Sequence, residues 1–249
     1  MKKQLVITDL TRMRGGRVGR VVCIAGYDAQ GNCFRPVLPH PGITERLLYQ
    51  NNEPIVFPFA VVEFDLLQHK PQPPHTEDWV YAPARVKFLR RVEEANRSQI
   101  LKSSSFNNVS AIFEQTIHTD FGCYVSEGQG RRSIGTIQPK TIHKVFYEQG
   151  EDEAWNYRLG FYDQSDAYYR LKIVDLTWNY YGDSLRDENT EPARVAEKLT
   201  ALLKNKTIYL RIGLARGWMK FPERCYLQVT GIYTFPDYLQ GKTFADLKI

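Results

Sequence analysis

Residues 207–235, TIYLRIGLARGWMKFPERCYLQVTGIYTF, constrain the fold more than any other stretch of the chain. They read as two long strands joined by a short connection. In the first, Ile208, Leu210, Ile212 and Leu214 fall on one face, and Tyr209, Arg211 and Gly213 on the other. That period of two predicts a half-buried strand. Leu227 and Val229 continue an inward face in the return strand, until Gly231 breaks the alternation. A glycine there predicts a bulge or a barrel bend. The connection carries Arg216, Trp218, Lys220, Phe221 and Arg224, with Glu223 as its one carboxylate. Cations beside flat rings suit a ligand built of phosphates and bases. A polar hairpin tip anchored by a single Trp explains the same residues equally well.

The rest of the chain is strand-rich. QLVITDL and VVCIAGYD read as strands, separated by a segment with Arg12, Arg14, Arg17 and Arg20 and no acid. The turn DAQGN (28–32) joins the second to CFRPVLP, which its prolines stop from running on as a central strand. FAVVEFDLL (59–67) is the clearest apolar strand of this half, and VKFLRRV (86–92) reads as the strand that closes it. The prolines of HKPQPPHTEDW (69–79) predict a surface excursion. Within 93–119 Asn108 caps a turn whose Val109, Ile112, Phe113 and Ile117 share a helical face. SEGQGRRS (126–133) is a glycine-rich seam between halves. After it IGTIQPKTIHKVFYE, NYRLGFYD and YYRLKIVDLTW read as strands. A helix over PARVAEKLTALLKN follows, started by Asn189 or Thr190 with Pro192, and striped by Val195, Leu199, Leu202 and Leu203.

The second half therefore reads β-β-β-α-β-β, the order of a five-stranded Greek-key OB barrel. The first half has a similar layout. The expected fold is mainly β with a few helices: two tandem OB-like Greek-key barrels. The boundaries read as 1–125 for the first, with a helical excursion, and 126–249 for the second. An SH3-like pair or one large barrel also satisfies the pattern.

Composition narrows the function classes. A net charge of +5 permits an anionic partner without requiring one. Cys23, Cys33, Cys123 and Cys225 show no CxxC spacing, and the five histidines are dispersed, so no closed metal-ligand set is visible and no metal or cofactor is expected. The carboxylates Asp163, Asp166, Asp175 and Asp183 fit turns and strand edges better than a nuclease centre. GGRVGR is not a phosphate-binding loop, and no nucleophile elbow is present. The N-terminus lacks a signal-peptide pattern and no apolar run reaches the ~20 residues of a membrane span. These readings favour a cytoplasmic protein with no membrane contact.

The stretches CIAGYDAQGNCFRPV, YYRLKIVDLTW, YLRIGLARGW and CYLQVTGIY span most of the chain. In them the sequence resembles the dual OB-containing domain proteins of bacteria. The resemblance implies a nucleic-acid-binding module with a place in bacterial defence or conflict systems, and it supplies no catalytic residues.

The expected function is non-enzymatic binding of single-stranded or structured nucleic acid, with a protein partner compatible. The candidate contacts are Arg12, Arg14, Arg17, Arg35, Trp178, Arg211, Arg216, Trp218 and Lys220. Two of them have bland alternatives. Arg35 fits a buried ion pair with Glu63 or Asp65, and Trp178 fits a strand-end core plug as well as a base stack. The competing function is a sensor or docking subunit that holds a small anionic ligand or a protein between two barrels.

Overall fold

The computed structural model describes residues 1–13, 20–150, 155–186 and 190–247. The first half contains β1 (Lys2–Arg12), β2 (Val21–Tyr27), β3 (Cys33–Val37), β4 (Ala60–His69), β5 (Asp78–Tyr81) and β6 (Lys87–Arg91). Antiparallel pairs β1–β2 and β2–β3, the parallel pair β3–β5, and antiparallel β5–β4 and β4–β1 close a five-stranded ring. β6 adds to β4 outside the ring. Closure depends on β1 serving two neighbours: Lys2 to Val6 pair with β4, and Val6 to Arg12 with β2. At the crossing, a Cβ on Gly26 would lie 2.4 Å from the Val6 carbonyl oxygen, so the position needs glycine.

Helices α1 (Glu94–Ser103) and α2 (Val109–Phe113) follow, then β7 (Cys123–Ser126), β8 (Ile134–Ile137), β9 (Thr141–Gln149), β10 (Trp155–Tyr162) and β11 (Tyr168–Ile173). Helices α3 (Leu176–Ser184) and α4 (Pro192–Leu203) lead into β12 (Thr207–Leu214) and β13 (Arg224–Phe235). The second ring repeats the first. β8 pairs with β12, β12 with β13, β13 in parallel with β11, β11 with β10, and β10 with β9. The chain itself joins β8 to β9 through residues 138–140, so one bent strand again serves two neighbours. Both halves thus have the Greek-key connectivity that the strand order predicts, with a parallel pair between third and fifth strands.

Local chemistry accounts for the boundaries. Asp28 Oδ1 accepts the backbone N–H groups of Gln30 and Asn32, which fixes the first hairpin turn. Asn108 caps α2 by accepting the Ala111 N–H at 2.9 Å, as predicted. In α4, Val195, Leu199 and Leu203 are buried on the second barrel's core. Its N-cap is Glu191, however, without a side-chain bond. The predicted strand through DLTW ends earlier, at Ile173. Asp175 then accepts the N–H groups of Thr177 and Trp178 and starts α3 instead.

The halves interpenetrate. Residues 105–125 precede the expected boundary, yet α2 and Val125 are buried in the second barrel's core. α3 spans the contact, with Leu176 and Tyr180 in the first core and Trp178 in the second. Phe244, near the other end of the chain, packs in the first core. A third cluster, including Phe59, Val61, Tyr209 and Tyr233, lies between the barrels. This corrects the expectation for β12. It is buried on both faces, because Tyr209 and Arg211 turn towards the first barrel while Ile208, Leu210 and Ile212 fill the second.

Candidate nucleic-acid interface

The predicted contact residues divide into buried and exposed groups. Arg211 has no solvent exposure. Its Nε donates to Asp9 Oδ2 at 2.8 Å, and Nη2 lies 2.8 Å from the same oxygen. Nη1 donates to Thr136 Oγ1 at 2.9 Å and to the Tyr27 hydroxyl. Burial alone would lower the guanidinium pKa, but the Asp9 charge outweighs it and holds Arg211 firmly protonated. Arg211 is therefore an inter-barrel bolt and offers nothing to a polymer at the surface. Trp178 is also fully buried, edge-on to Tyr238 at 5.4 Å, which is the core-plug alternative. Arg35 is a buried ion-pair member, but its partner is Asp78, whose Oδ1 accepts from Nε at 2.5 Å. The expected partners are engaged elsewhere: Glu63 by Lys2, and Asp65 by Arg85.

The exposed candidates among the described residues are Arg12, Arg216, Trp218 and Lys220. Arg12 reaches towards Asp183 at 3.8 Å. Arg14 and Arg17 lie outside the described residues. Arg216, Trp218 and Lys220 are brought together at the β12–β13 tip. Arg216 pairs with Asp78, Trp218 is 54% exposed, and the Lys220 ammonium sits 5.5 Å from the Phe221 ring centre. The tip closes by the Phe221 N–H donating to the Trp218 carbonyl at 2.8 Å. A Cβ on Gly217 would stand 2.0 Å from the Pro222 oxygen, so this closure needs glycine. Arg224 extends the cluster, lying over Phe221 and Tyr124 at 4.3 and 4.9 Å.

A second cluster of cations and rings covers the outer face of β9, β10 and β11. The register places Lys144 opposite Gly160, Phe146 opposite Arg158, Gly160 opposite Arg170, and Tyr162 opposite Tyr168. Arg170 lies 4.2 Å and Lys144 4.7 Å from the Phe146 ring centre, while the Tyr162 and Tyr168 rings are 5.1 Å apart. Among the described residues of this face Glu148 is the carboxylate, and it accepts from both Arg158 and Arg170. Gly160 leaves a shallow centre between Phe146, Tyr168 and His143, where a Cβ would crowd the Tyr168 hydroxyl at 2.8 Å. Sequence reasoning missed this face. Its signal was the alternation Arg158, Gly160, Tyr162 and Tyr168, Arg170, Lys172 in adjacent strands, legible only once those strands are paired in register.

The predicted excursion at 69–79 is surface only in its first part. Pro74, His75, Glu77 and Asp78 are buried where the loop docks on residues 126–133. Glu77 accepts from the Ser133 backbone N–H at 2.7 Å and its hydroxyl at 2.9 Å, and burial raises its pKa against those bonds. The glycine-rich 126–133 stretch, expected as a boundary between halves, is thus the segment on which this loop docks.

Two Greek-key barrels of matching connectivity, bolted through buried polar groups, define a tandem OB-fold protein. The dual OB-containing domain family matches residues 3–232, and the chain belongs to that family. A search of curated proteins finds no match. Among the described residues, no helix is long and apolar enough to cross a membrane.

Proposed function

We propose that this protein binds nucleic acid, single-stranded or locally structured, on the outer face of β9–β11, without catalysing a reaction on it. The observation that carries the proposal is the cation–ring array on that face, with Arg170 stacked at 4.2 Å over Phe146 beside the paired Tyr162 and Tyr168. Five-stranded OB barrels bind oligonucleotides on the face of their second and third strands, which here are β10 and β11. Rings give bases a stacking surface that tolerates any sequence, and among the described residues of this face Lys144, Arg158 and Arg170 outnumber Glu148 as partners for phosphate.

The test is a titration of a fluorescently labelled single strand, and of a duplex, at low and moderate salt. The expected result is affinity that falls steeply with salt and drops about five- to a hundredfold in Phe146→Ala or Tyr168→Ala, the equivalent of ~1–3 kcal/mol per lost stack. No binding of any oligonucleotide at low salt sinks the proposal.

A second reading has its own observation. Phe121 is 88% exposed, Met219 99% and Trp218 54%, and Arg224 ties the Phe121 loop to the β12–β13 tip through Asp120 at 2.7 Å. So much apolar surface at one end suits a protein partner. Under this reading Phe121→Ser with Met219→Ser abolishes a partner complex and leaves oligonucleotide affinity unchanged.

A further inference from the structure

Three residues distant in the chain converge beneath the contact between barrels. They are His75 in the docked loop, Glu127 just after β7, and Cys225 in β13. Their candidate ligand atoms lie within 4.8 Å of one another. His75 has no solvent exposure, and neither of its ring nitrogens has a hydrogen-bond partner. A buried imidazole with both nitrogens unmatched is costly, because each has given up water for nothing. Cys225 is also fully buried, and its thiol donates to Glu127 Oε2 at 2.5 Å.

We propose that His75, Glu127 and Cys225 form a Zn2+ site that clasps the first barrel to the second. One imidazole, one thiolate and one carboxylate are donors that zinc accepts in tetrahedral geometry, whereas Mg2+ and Ca2+ demand oxygen throughout. Three protein ligands leave a fourth position for water. Neither His75 ring nitrogen is engaged by a protein group, so the imidazole has a lone pair to offer the metal. In the free site the Cys225 thiol keeps its proton in the hydrogen bond to Glu127. Zinc binding forms the Zn–S bond and releases that proton to solvent.

The surroundings fit a cation. The two nearby guanidiniums, Arg35 and Arg216, both pair with Asp78, which offsets their repulsion. Glu127 is only partly buried and supplies the approach from solvent. The His75 loop is already held against the second barrel. The Gly128 N–H donates to the Pro73 carbonyl at 3.0 Å, and Thr76 Oγ1 to the Arg131 carbonyl at 2.5 Å. The donors are therefore gathered by the fold itself.

The experiment uses the full chain stripped of metal by a chelator, with Co2+ and Zn2+ as probes. One equivalent of Co2+ is expected to produce a thiolate-to-cobalt charge-transfer absorption. Zn2+ should bleach it, release about one proton per chain, and raise the melting temperature with free metal concentration. Cys225→Ser should lose the absorption, and His75→Ala and Glu127→Gln should each lose the zinc-dependent melting shift. Circular dichroism of each metal-free variant establishes that it folds. Glu127→Gln, at a partly exposed position, serves where Cys225→Ser does not. Two results overturn the proposal: no charge-transfer absorption or zinc-dependent shift in the native chain, or metal responses that persist unchanged in the folded variants.

Discussion

Asp9 and Arg211, 202 residues apart in the chain, form a fully buried ion pair that joins the two barrels. Both stand at β-bulges. The β1–β2 register slips between Ile7 and Asp9, and the β12–β13 register slips between Arg211 and Ile212. The bulges supply further partners. Thr8 Oγ1 donates to Asp9 Oδ2 at 2.8 Å, and Thr230 Oγ1 to Asp9 Oδ1 at 2.6 Å. The Tyr233 hydroxyl adds a bond to the Thr8 carbonyl at 2.7 Å. A bulge leaves a residue outside the ladder and re-aims its neighbours. Here two of them turn a strand-edge irregularity into a cross-barrel network.

Removing one member of that pair leaves the other charge buried without compensation. Arg211→Ala is expected to lower unfolding free energy by ~3–5 kcal/mol, read from denaturant midpoints at constant slope. Oligonucleotide affinity per folded molecule should stay at the native value. A loss below ~1 kcal/mol, on the scale of an exposed pair, would show that the network does not hold the barrels together.

The two tryptophans should separate cleanly. Trp178→Ala opens a cavity in the second core and is expected to cost ~3–5 kcal/mol. Trp218→Ala, at the exposed tip, should change stability by no more than ~0.5 kcal/mol. If the tip also touches the polymer, its affinity falls by ~1–3 kcal/mol. Melting and anisotropy on the same two variants distinguish packing from binding.

Arg170→Gln tests the β9–β11 face through electrostatics. One lost phosphate contact should reduce the slope of log affinity against log salt by about one unit. The fold should persist, since Arg170 is partly exposed and its ion pair with Glu148 is a surface one. An unchanged slope would move the contact surface elsewhere, with the β12–β13 tip the next candidate.

Asp175 carries a pH signature. Burial pushes its pKa up to about 7, against three backbone N–H bonds that favour the carboxylate. The folded value lies above the unfolded one of ~3.9, so the native state holds a proton that the unfolded chain has lost. This contribution is fully present below about pH 4 and disappears as pH rises through about 7. The stability of the native chain relative to Asp175→Asn should therefore fall between those values and level off above them. A difference that stays flat from pH 4 to 8 would refute the assignment.

Much of this architecture was legible from local pattern. Alternation in 207–235, the Asp28 turn, the Asn108 cap and the Val195–Leu199–Leu203 stripe each act within a few residues, so sequence spacing reports them directly. Even the Gly231 irregularity was readable, because the bulge that disturbs β13 leaves a glycine beside it. The strand order then favoured two Greek-key barrels, and the pairings close both rings.

Pattern failed wherever partners come from far along the chain. Arg211 on a polar face of a strand looks like a surface cation. Only the approach of β1 reveals Asp9, and the low dielectric between barrels makes that pairing obligatory. Arg35 belongs to Asp78 for the same reason, through the parallel pairing of β3 with β5. His75 sits among prolines that suggest solvent, yet it is gathered with Glu127 and Cys225 from three segments. The sequence by itself determined the strands, their turns and their order, because those follow from backbone preference and side-chain period. Which cations face solvent, and which donors converge, was decided by tertiary structure alone, since burial and charge pairing depend on what packs against each face.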